Sequence, residues 1–453
     1  MVRDMTKGNI FQNIFFFALP ILFGNIFQQL YSIVDTIIVG KYIGEDALAA
    51  VGSTFPIIYM LVSIIIGFTM GSSVVISQYY GAGKLKETKQ VIFTSMVFLS
   101  AFSVLMSVGG YFLTDFLLRV VNTPANIAAL AGVYLRIYFF GLIFIFIYNI
   151  LASIFQALGD SRTPLYFLII ASLINILLVY IFVVYLDMGV AGAGWATVIA
   201  QAIAALLCFI YSWKKVPIMH FNIGEMIFSW NLLRQIIRYG VPSSIQQMIF
   251  SLEAVFAQRF VNYYGSIVTA GYTAANKITS LGFLPLFAFS NAVAIFTGQN
   301  IGANNVKRAK QGLFAGAVMG VVTAILVMLV IYTKGTEFMS IFLDPSKSTE
   351  AIMVGVEYAY IIGVFFIIIS FELILQGFLR GAGDVKIVTM VAITAMIAHI
   401  GLAYLLMPKI GRTGVWWSEG LSWIVGIVII IYNYKRGNWK NKGVIGSKNF
   451  GES

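Results

Sequence analysis

Three acidic side chains stand inside long apolar stretches of this chain: Asp35, Glu253 and Glu372. An ionisable group in hydrocarbon costs about 2.5–3.5 kcal/mol on insertion scales, so such residues face a bundle interior or a wet cavity and mark pathways. Asp35 follows Asn25, Gln28 and Ser32 at i−10, i−7 and i−3, intervals that put all four on one helical face. A polar stripe ending in a carboxylate suits the wall of a water-lined cavity. The alternative, a hydrogen-bonded cluster that only glues helices together, is the weaker reading. Glu253 repeats the spacing with Ser243 and Gln246 at i−10 and i−7. It lies eleven residues after Pro242, whereas Asp35 lies fifteen after Pro20, which sets the two acids about one turn apart. Arg259, six residues on, is poorly spaced to pair with Glu253 within a helix. Glu372 has Gln376 at i+4 and Arg380 at i+8, and either lines a cavity or pairs with Arg380 or another helix.

These groups could carry a cation. Asp35, Glu253 and Glu372 are the candidate coupling residues: a proton bound and released alternately by Asp35, or a sodium ion held by converging oxygens of several groups. One inward proton supplies about 2.3 kcal/mol per 100 mV of membrane potential. The candidate cavity-lining residues are Asn25, Gln28, Tyr31, Ser32, Asn149, Gln156, Asn175, Gln246, Gln376 and His399. Asn149, Ser153 and Gln156 fall at i, i+4 and i+7 and form a stripe of their own. His399 aligns with Asn175 at an offset of 224 and reads more readily as a hydrogen-bonded packing residue than as a proton relay. Tyr31, beside the Asp35 stripe, is the aromatic best placed for a lipophilic cation through cation–π attraction. Glu357, Glu419 and Asp187 sit nearer helix ends and read as interfacial charges.

The elements that must position these residues follow from composition. The 453 residues are 60% hydrophobic and 10% charged, with mean hydropathy +0.91. A soluble domain is nearer 45–50% apolar and about 25% charged. Apolar runs fall at about residues 13–40, 53–78, 91–114, 130–157, 163–186, 191–212, 236–263, 275–298, 312–333, 351–379, 386–407 and 414–434. Each is long enough to span a bilayer, so an all-α, polytopic membrane protein of twelve transmembrane helices is expected. The first run, with Asn25, Gln28 and Asp35, reads as an uncleaved span rather than a signal peptide. Cys208 is the single cysteine and the two histidines, His220 and His399, are distant, so neither an internal disulfide nor a metal cluster is expected.

The net charge of +11 is explained by the positive-inside rule rather than by nucleic acid. With the N-terminus cytoplasmic, 20 of the 29 Lys and Arg fall on the cytoplasmic side, and an even number of spans puts both termini there. Trp213, Trp230 and Trp439 then flank inner boundaries, and Trp195, Trp416 and Trp417 outer ones, as interfacial rings prefer. Residues 1–212 form an N-lobe of six spans, 213–235 a cytoplasmic linker, 236–435 a C-lobe of six spans and 436–453 a basic tail. The lobes repeat. At an offset of 221, Gly44, Ala49, Ile57, Phe68, Gln78, Gly81, Ala82, Lys86, Lys89 and Gln90 meet identical residues from Gly265 to Gln311. Six spans per half make this a parallel repeat about the membrane normal, with substrate expected in a central cleft.

Several motifs, in order and in duplicate, carry a family resemblance: Gln78-Tyr79-Tyr80-Gly81-Ala82-Gly83 with Gly298-Gln299-Asn300-Ile301-Gly302-Ala303, the stretch from Gln156 through Gly159-Asp160 to Pro164, Gly189-Val190-Ala191-Gly192-Ala193, and Leu379-Arg380-Gly381-Ala382-Gly383-Asp384. With Gln28-Gln29-Leu30-Tyr31 leading to Asp35 and Gly40, the chain resembles the multidrug and toxic compound extrusion (MATE) family from about residue 10 to 435. The resemblance implies two six-helix bundles in a V, exporting organic cations in exchange for H+ or Na+, with Asp35 matching the family's first-helix aspartate. One departure stands out. Many relatives carry Asn-x-x-Leu-Asp-Pro in the fifth helix, whereas Asn175 and Leu178 are followed here by Val179 and Tyr180. The second N-lobe carboxylate is missing.

An inner-membrane antiporter for small lipophilic cations is therefore expected, working as a monomer among membrane lipids, with no cofactor beyond the coupling ion and no nucleic acid. The nearest rival is a flippase for a lipid-linked saccharide or other amphiphile of the same superfamily. Its cavity would favour cationic residues to hold pyrophosphate, whereas the charges within the spans here are mainly acidic and favour a cationic cargo. A scaffold or receptor lacks a sensor domain, and an enzyme lacks any Gly-rich nucleotide loop or nucleophile–base pair.

Overall fold

A computed structural model describes residues 4–220 and 225–444. Twelve long helices make up the described chain, and no strand is present among the described residues: α1 Ile10–Tyr42, α2 Glu45–Gly81, α3 Leu85–Val120, α4 Ala125–Ala157, α5 Arg162–Tyr180, α6 Gly189–Lys215, α7 Trp230–Asn262, α8 Ser266–Gly302, α9 Val306–Phe342, α10 Thr349–Ala382, α11 Val385–Ile410 and α12 Thr413–Arg436. One π-turn, Ile181–Tyr185, extends α5. Eleven of the helices are long and apolar enough to cross a membrane. The other, α7, matches them at 33 residues but carries Arg234, Arg238, Gln246, Gln247, Glu253 and Arg259. Helices of 37 residues, as in α2, α8 and α9, are about 55 Å long at 1.5 Å per residue. That exceeds the hydrocarbon thickness of about 30 Å, so their polar ends extend beyond the apolar runs.

The chain forms two compact units: one is built from Pro20–Ser244, the other from Met5–Leu19 and the chain from Ile245 onward. The chain passes from unit to unit inside α1, at Pro20, and inside α7, just after Pro242. Each unit repeats the same packing, α4 with α2, α3 and α6 in the first and α10 with α8, α9 and α12 in the second.

Small residues set the closest approaches. In the second unit Gly377 and Gly381 let α10 rest on the carbonyls of Ser290 and Ala294 in α8, where a side chain would strike backbone. This is the small-xxx-small device of membrane helices, and it seats Glu372, Gln376 and Arg380 on the buried face. In the first unit Gly67 and Gly71 bring α2 onto Gly240 and Ser244. The turns repeat as well: Gly159 and Gly383, both at φ 92°, end α4 and α10 in the left-handed conformation that glycine accepts without strain.

Candidate functional site

In the first unit, α1 presents Tyr31 and Asp35 one turn apart. The Asp35 carboxylate is within electrostatic reach of Tyr31 and of the buried Tyr134 on α4. Its Oδ1 is buried and has no hydrogen-bond partner. Tyr31 also lines a small cavity of about 10 Å³ with Ser172 and Asn175 of α5 and Thr197 and Gln201 of α6. Asn175 Nδ2 donates to Thr197 Oγ1 at 3.2 Å, while Asn175 Oδ1 and Gln201 Oε1 are buried without partners. Unsatisfied buried oxygens cost free energy, so this corner of the unit is poised for a donor or a cation.

Gln28, although exposed, hydrogen-bonds the Tyr31 side chain. The rest of the expected stripe does not converge on this corner: Ser32 is exposed and Asn25 is half-buried. Asn149 returns its amide to its own helix at the Ile145 carbonyl, 2.8 Å, and Gln156 is half-buried at the end of α4, its carbonyl accepting from the Gly159 amide at 2.8 Å. Of the expected cavity residues in this unit, the structure brings Gln28, Tyr31 and Asn175 together.

The second unit gathers more acids. Gln246 Nε2 of α7 donates to Gln376 Oε1 at 2.9 Å, and Gln376 Nε2 donates to Glu372 Oε1 at 3.0 Å. Glu372 is 1% exposed, and its Oε2 has no partner. Gly426 makes room for it: a Cβ there would lie 2.6 Å from Glu372 Oε1. Nearby, His399 Nδ1 of α11 meets Glu253 Oε1 at 3.2 Å, with His399 Nε2 buried and unpartnered. Glu253 acts electrostatically on Glu372, and Glu419 on His399, so the α7, α10, α11 and α12 groups form one cluster.

Of the readings open for Glu372, the bond it makes is to Gln376, one turn along on α10. Three expectations are corrected. Glu419 is not an interfacial charge: it is half-buried and accepts from the Tyr358 hydroxyl at 3.3 Å. Trp416 and Trp439 are not interfacial rings. Trp416 stacks on Tyr272 at 5.5 Å and Trp439 on Tyr434 at 5.8 Å, both fully inside. Aromatic stacking inside the unit outweighs the interface preference. Glu357 keeps the ion-pair role of a helix end, bonded by Arg412 at 3.0 and 3.1 Å. Sequence reasoning missed Thr197, Gln201, Tyr358 and Glu419. The first two fall at i and i+4 in α6, the same polar-stripe signal that singled out α1.

Among the described residues no group of three or more His, Cys, Asp or Glu could hold a metal ion. What the clusters offer is carboxylate and amide oxygens, several of them buried without a hydrogen-bond partner.

The MatE family model matches residues 20–181 and 242–405, most of the chain and both repeats in turn. The chain belongs to the MATE family. It is similar to the probable multidrug resistance proteins YoeA and YpnP of Bacillus subtilis, at 30% and 29% identity over 98% and 96% of this chain and 97% of each relative. It is also similar to the multidrug export protein MepA of Staphylococcus aureus, at 21% identity over 94% of both chains. Among solved structures, an outward-facing conformation of a multidrug resistance MATE family transporter matches with a TM-score of 0.89 at 23% identity, over 96% of this chain and 98% of that one. A MOP superfamily transporter from Pyrococcus furiosus matches with a TM-score of 0.90 at 23% identity, over 97% and 98%. As a MATE protein the chain is a multi-pass membrane protein of a multidrug efflux family.

Proposed function

We propose that this MATE protein is a secondary active antiporter that exports organic cations or drugs in exchange for H+ or Na+ by alternating access, working as a monomer in the plasma membrane with both termini cytoplasmic. The observation that carries the reading is the Asp35 carboxyl, held in the first unit with a buried oxygen that no donor satisfies. A carboxylate in that state gains from taking up a proton or a cation, and gives it back when the surroundings become wetter. Glu372, with its own unpartnered buried oxygen, and Glu253 supply comparable groups in the second unit. Acids rather than cations at both clusters suit a positively charged cargo, and Tyr31 offers it an aromatic face beside Asp35.

The test is flux of an ethidium-like dye in proteoliposomes under imposed proton and sodium gradients in turn. Asp35→Asn should abolish gradient-driven efflux in protein that inserts and folds normally, and efflux at the wild-type rate in that variant would falsify the assignment. For Glu253→Gln, unchanged substrate affinity would reduce Glu253 to a structural role.

A further inference from the structure

The first turn of α9 carries a charge pattern that its repeat counterpart avoids. A helix N-terminus is the positive end of the helix dipole, so carboxylates stabilise it and cations do not. α3 begins with Lys86, Glu87 and Lys89. At an offset of 221, α9 begins with Lys307, Arg308 and Lys310, an arginine standing where α3 has its acid. No acidic residue lies in the first turn of α9. In the first unit Lys89 Nζ is neutralised by Glu225 Oε2 at 2.8 Å and donates to the His220 carbonyl at 2.9 Å. In the second unit Arg308 is engaged by the N-terminal segment, donating to the Met5 carbonyl at 3.3 Å and the Lys7 carbonyl at 2.7 Å. Lys307 and Lys310 are exposed. Neither has a carboxylate in ion-pair contact among the described residues.

Both lysines open onto a cavity of about 660 Å³ whose other walls include Asn9, Phe11, Gln311 and Phe314. Lys307, Lys310, Gln311 and Phe314 fall at i, i+3, i+4 and i+7, one face of α9. Phe314 is 67% exposed, and the same face continues through exposed Val318, Val322, Ile325 and Leu329. The counterpart of Phe314 in α3, Phe93, is half-buried. Two uncompensated cations thus stand at the head of an apolar stripe that starts beside the cavity.

We propose that this cavity binds the phosphate headgroup of an anionic phospholipid, with an acyl chain lying along the α9 face marked by Phe314, Val322 and Leu329. A free phosphate would satisfy the lysines and leave the stripe unused; a lipid engages both. In the first unit the Glu225 carboxylate takes the anion's part from within the chain. The site is independent of which ion drives transport and of the Asp35 assignment.

The full chain, purified in detergent, is to be titrated with dioleoyl phosphatidylglycerol, dioleoyl phosphatidylcholine and inorganic phosphate, with binding read by native mass spectrometry. Wild-type protein should retain phosphatidylglycerol over phosphatidylcholine. Lys307→Gln with Lys310→Gln should weaken the anionic lipid about thirtyfold, near fivefold for each lysine, and leave phosphatidylcholine unchanged. Lys307→Arg with Lys310→Arg should keep the preference, and Phe314→Ser, which retains both lysines, should weaken retention of the same lipid. The counterpart change Lys86→Gln should have no effect. Equal phosphatidylglycerol binding by wild type and the double Gln variant overturns the site. Inorganic phosphate binding as tight as the lipid overturns the lipid.

Discussion

Asp160 and Asp384 follow the glycines that end α4 and α10, in corresponding places of the two repeats, yet their surroundings push them in opposite directions. Burial raises the Asp160 carboxyl, but the Thr163 hydroxyl at 2.8 Å and the Thr163 amide at 3.1 Å outweigh it and hold the group below the usual aspartate range. Burial raises Asp384 too, and there Lys442 offsets it only in part. For Asp160 the lowered value means that stability is present above the unfolded-state pKa and is lost as pH falls through the folded one. For Asp384 the raised value means that stability is lost as pH rises through the interval between the unfolded and folded values. Asp160→Ala, which removes both acceptor oxygens, should therefore cost about 1–2 kcal/mol near neutral pH, as loss of a helix cap does, and should flatten the acid limb of stability. Asp384→Asn should be neutral or stabilising. Thermal unfolding in detergent from acid to neutral pH measures both. A second prediction concerns the His399 and Glu253 pair: His399→Leu strands a carboxylate oxygen and should cost about 1–3 kcal/mol, whereas His399→Gln, which can still donate, should cost less in the same assay. The acids were legible because carboxylates are conspicuous in apolar runs. Their partners were not, because Gln246 meeting Gln376 or His399 meeting Glu253 depends on rotations of separate helices that periodicity leaves open.

At the level of elements, the helices were legible from their apolar runs, and the turns from the recurring Gly-Asp pairs. The helices run longer than their apolar stretches, since polar ends such as Lys86 and Lys307 continue a helix without continuing its hydropathy. Which glycine faces which neighbour was hidden. The glycines of α10 and α12 show why that matters, because Gly377 seats α10 on the Ser290 carbonyl of α8 and Gly426 of α12 lies against Glu372. Gly377→Leu would drive a side chain into the Ser290 carbonyl and should destabilise the second unit by about 1–3 kcal/mol, the usual cost of overpacking. Gly426→Ala is the sharper change. Its methyl group would crowd Glu372 Oε1, from which a Cβ is only 2.6 Å away, and should break the bond from Gln376 without removing any ionisable group. Dye efflux should then fall while insertion is retained. Efflux equal to wild type in Gly426→Ala, with Glu372→Gln inactive, would show that the carboxylate matters but its fixed position does not.

At the level of the whole molecule, the offset of 221 makes the duplication legible in the sequence itself, and the family model matches the two halves separately. Orientation rests on charge. Lys and Arg gather at the start of α3 and of α9, at the end of α6 and after α12, and these sites share one side only if successive helices run in opposite senses. Moving such loops across a bilayer against the positive-inside bias is unfavourable, so this side should be cytoplasmic. The turn between α3 and α4, which contains Asn122 at φ 55°, should then face outward. In a Cys208→Ser background, which removes the only native thiol, Asn122→Cys should react with a membrane-impermeant maleimide in intact cells. Lys440→Cys, just past α12, should react only after the cells are opened. The reverse pattern would invert the chain in the membrane and place the proposed phospholipid cavity at the outer leaflet. Labelling of both sites in intact cells would break the even count of spans, and with it the inference that α7, despite its arginines and glutamines, crosses the bilayer.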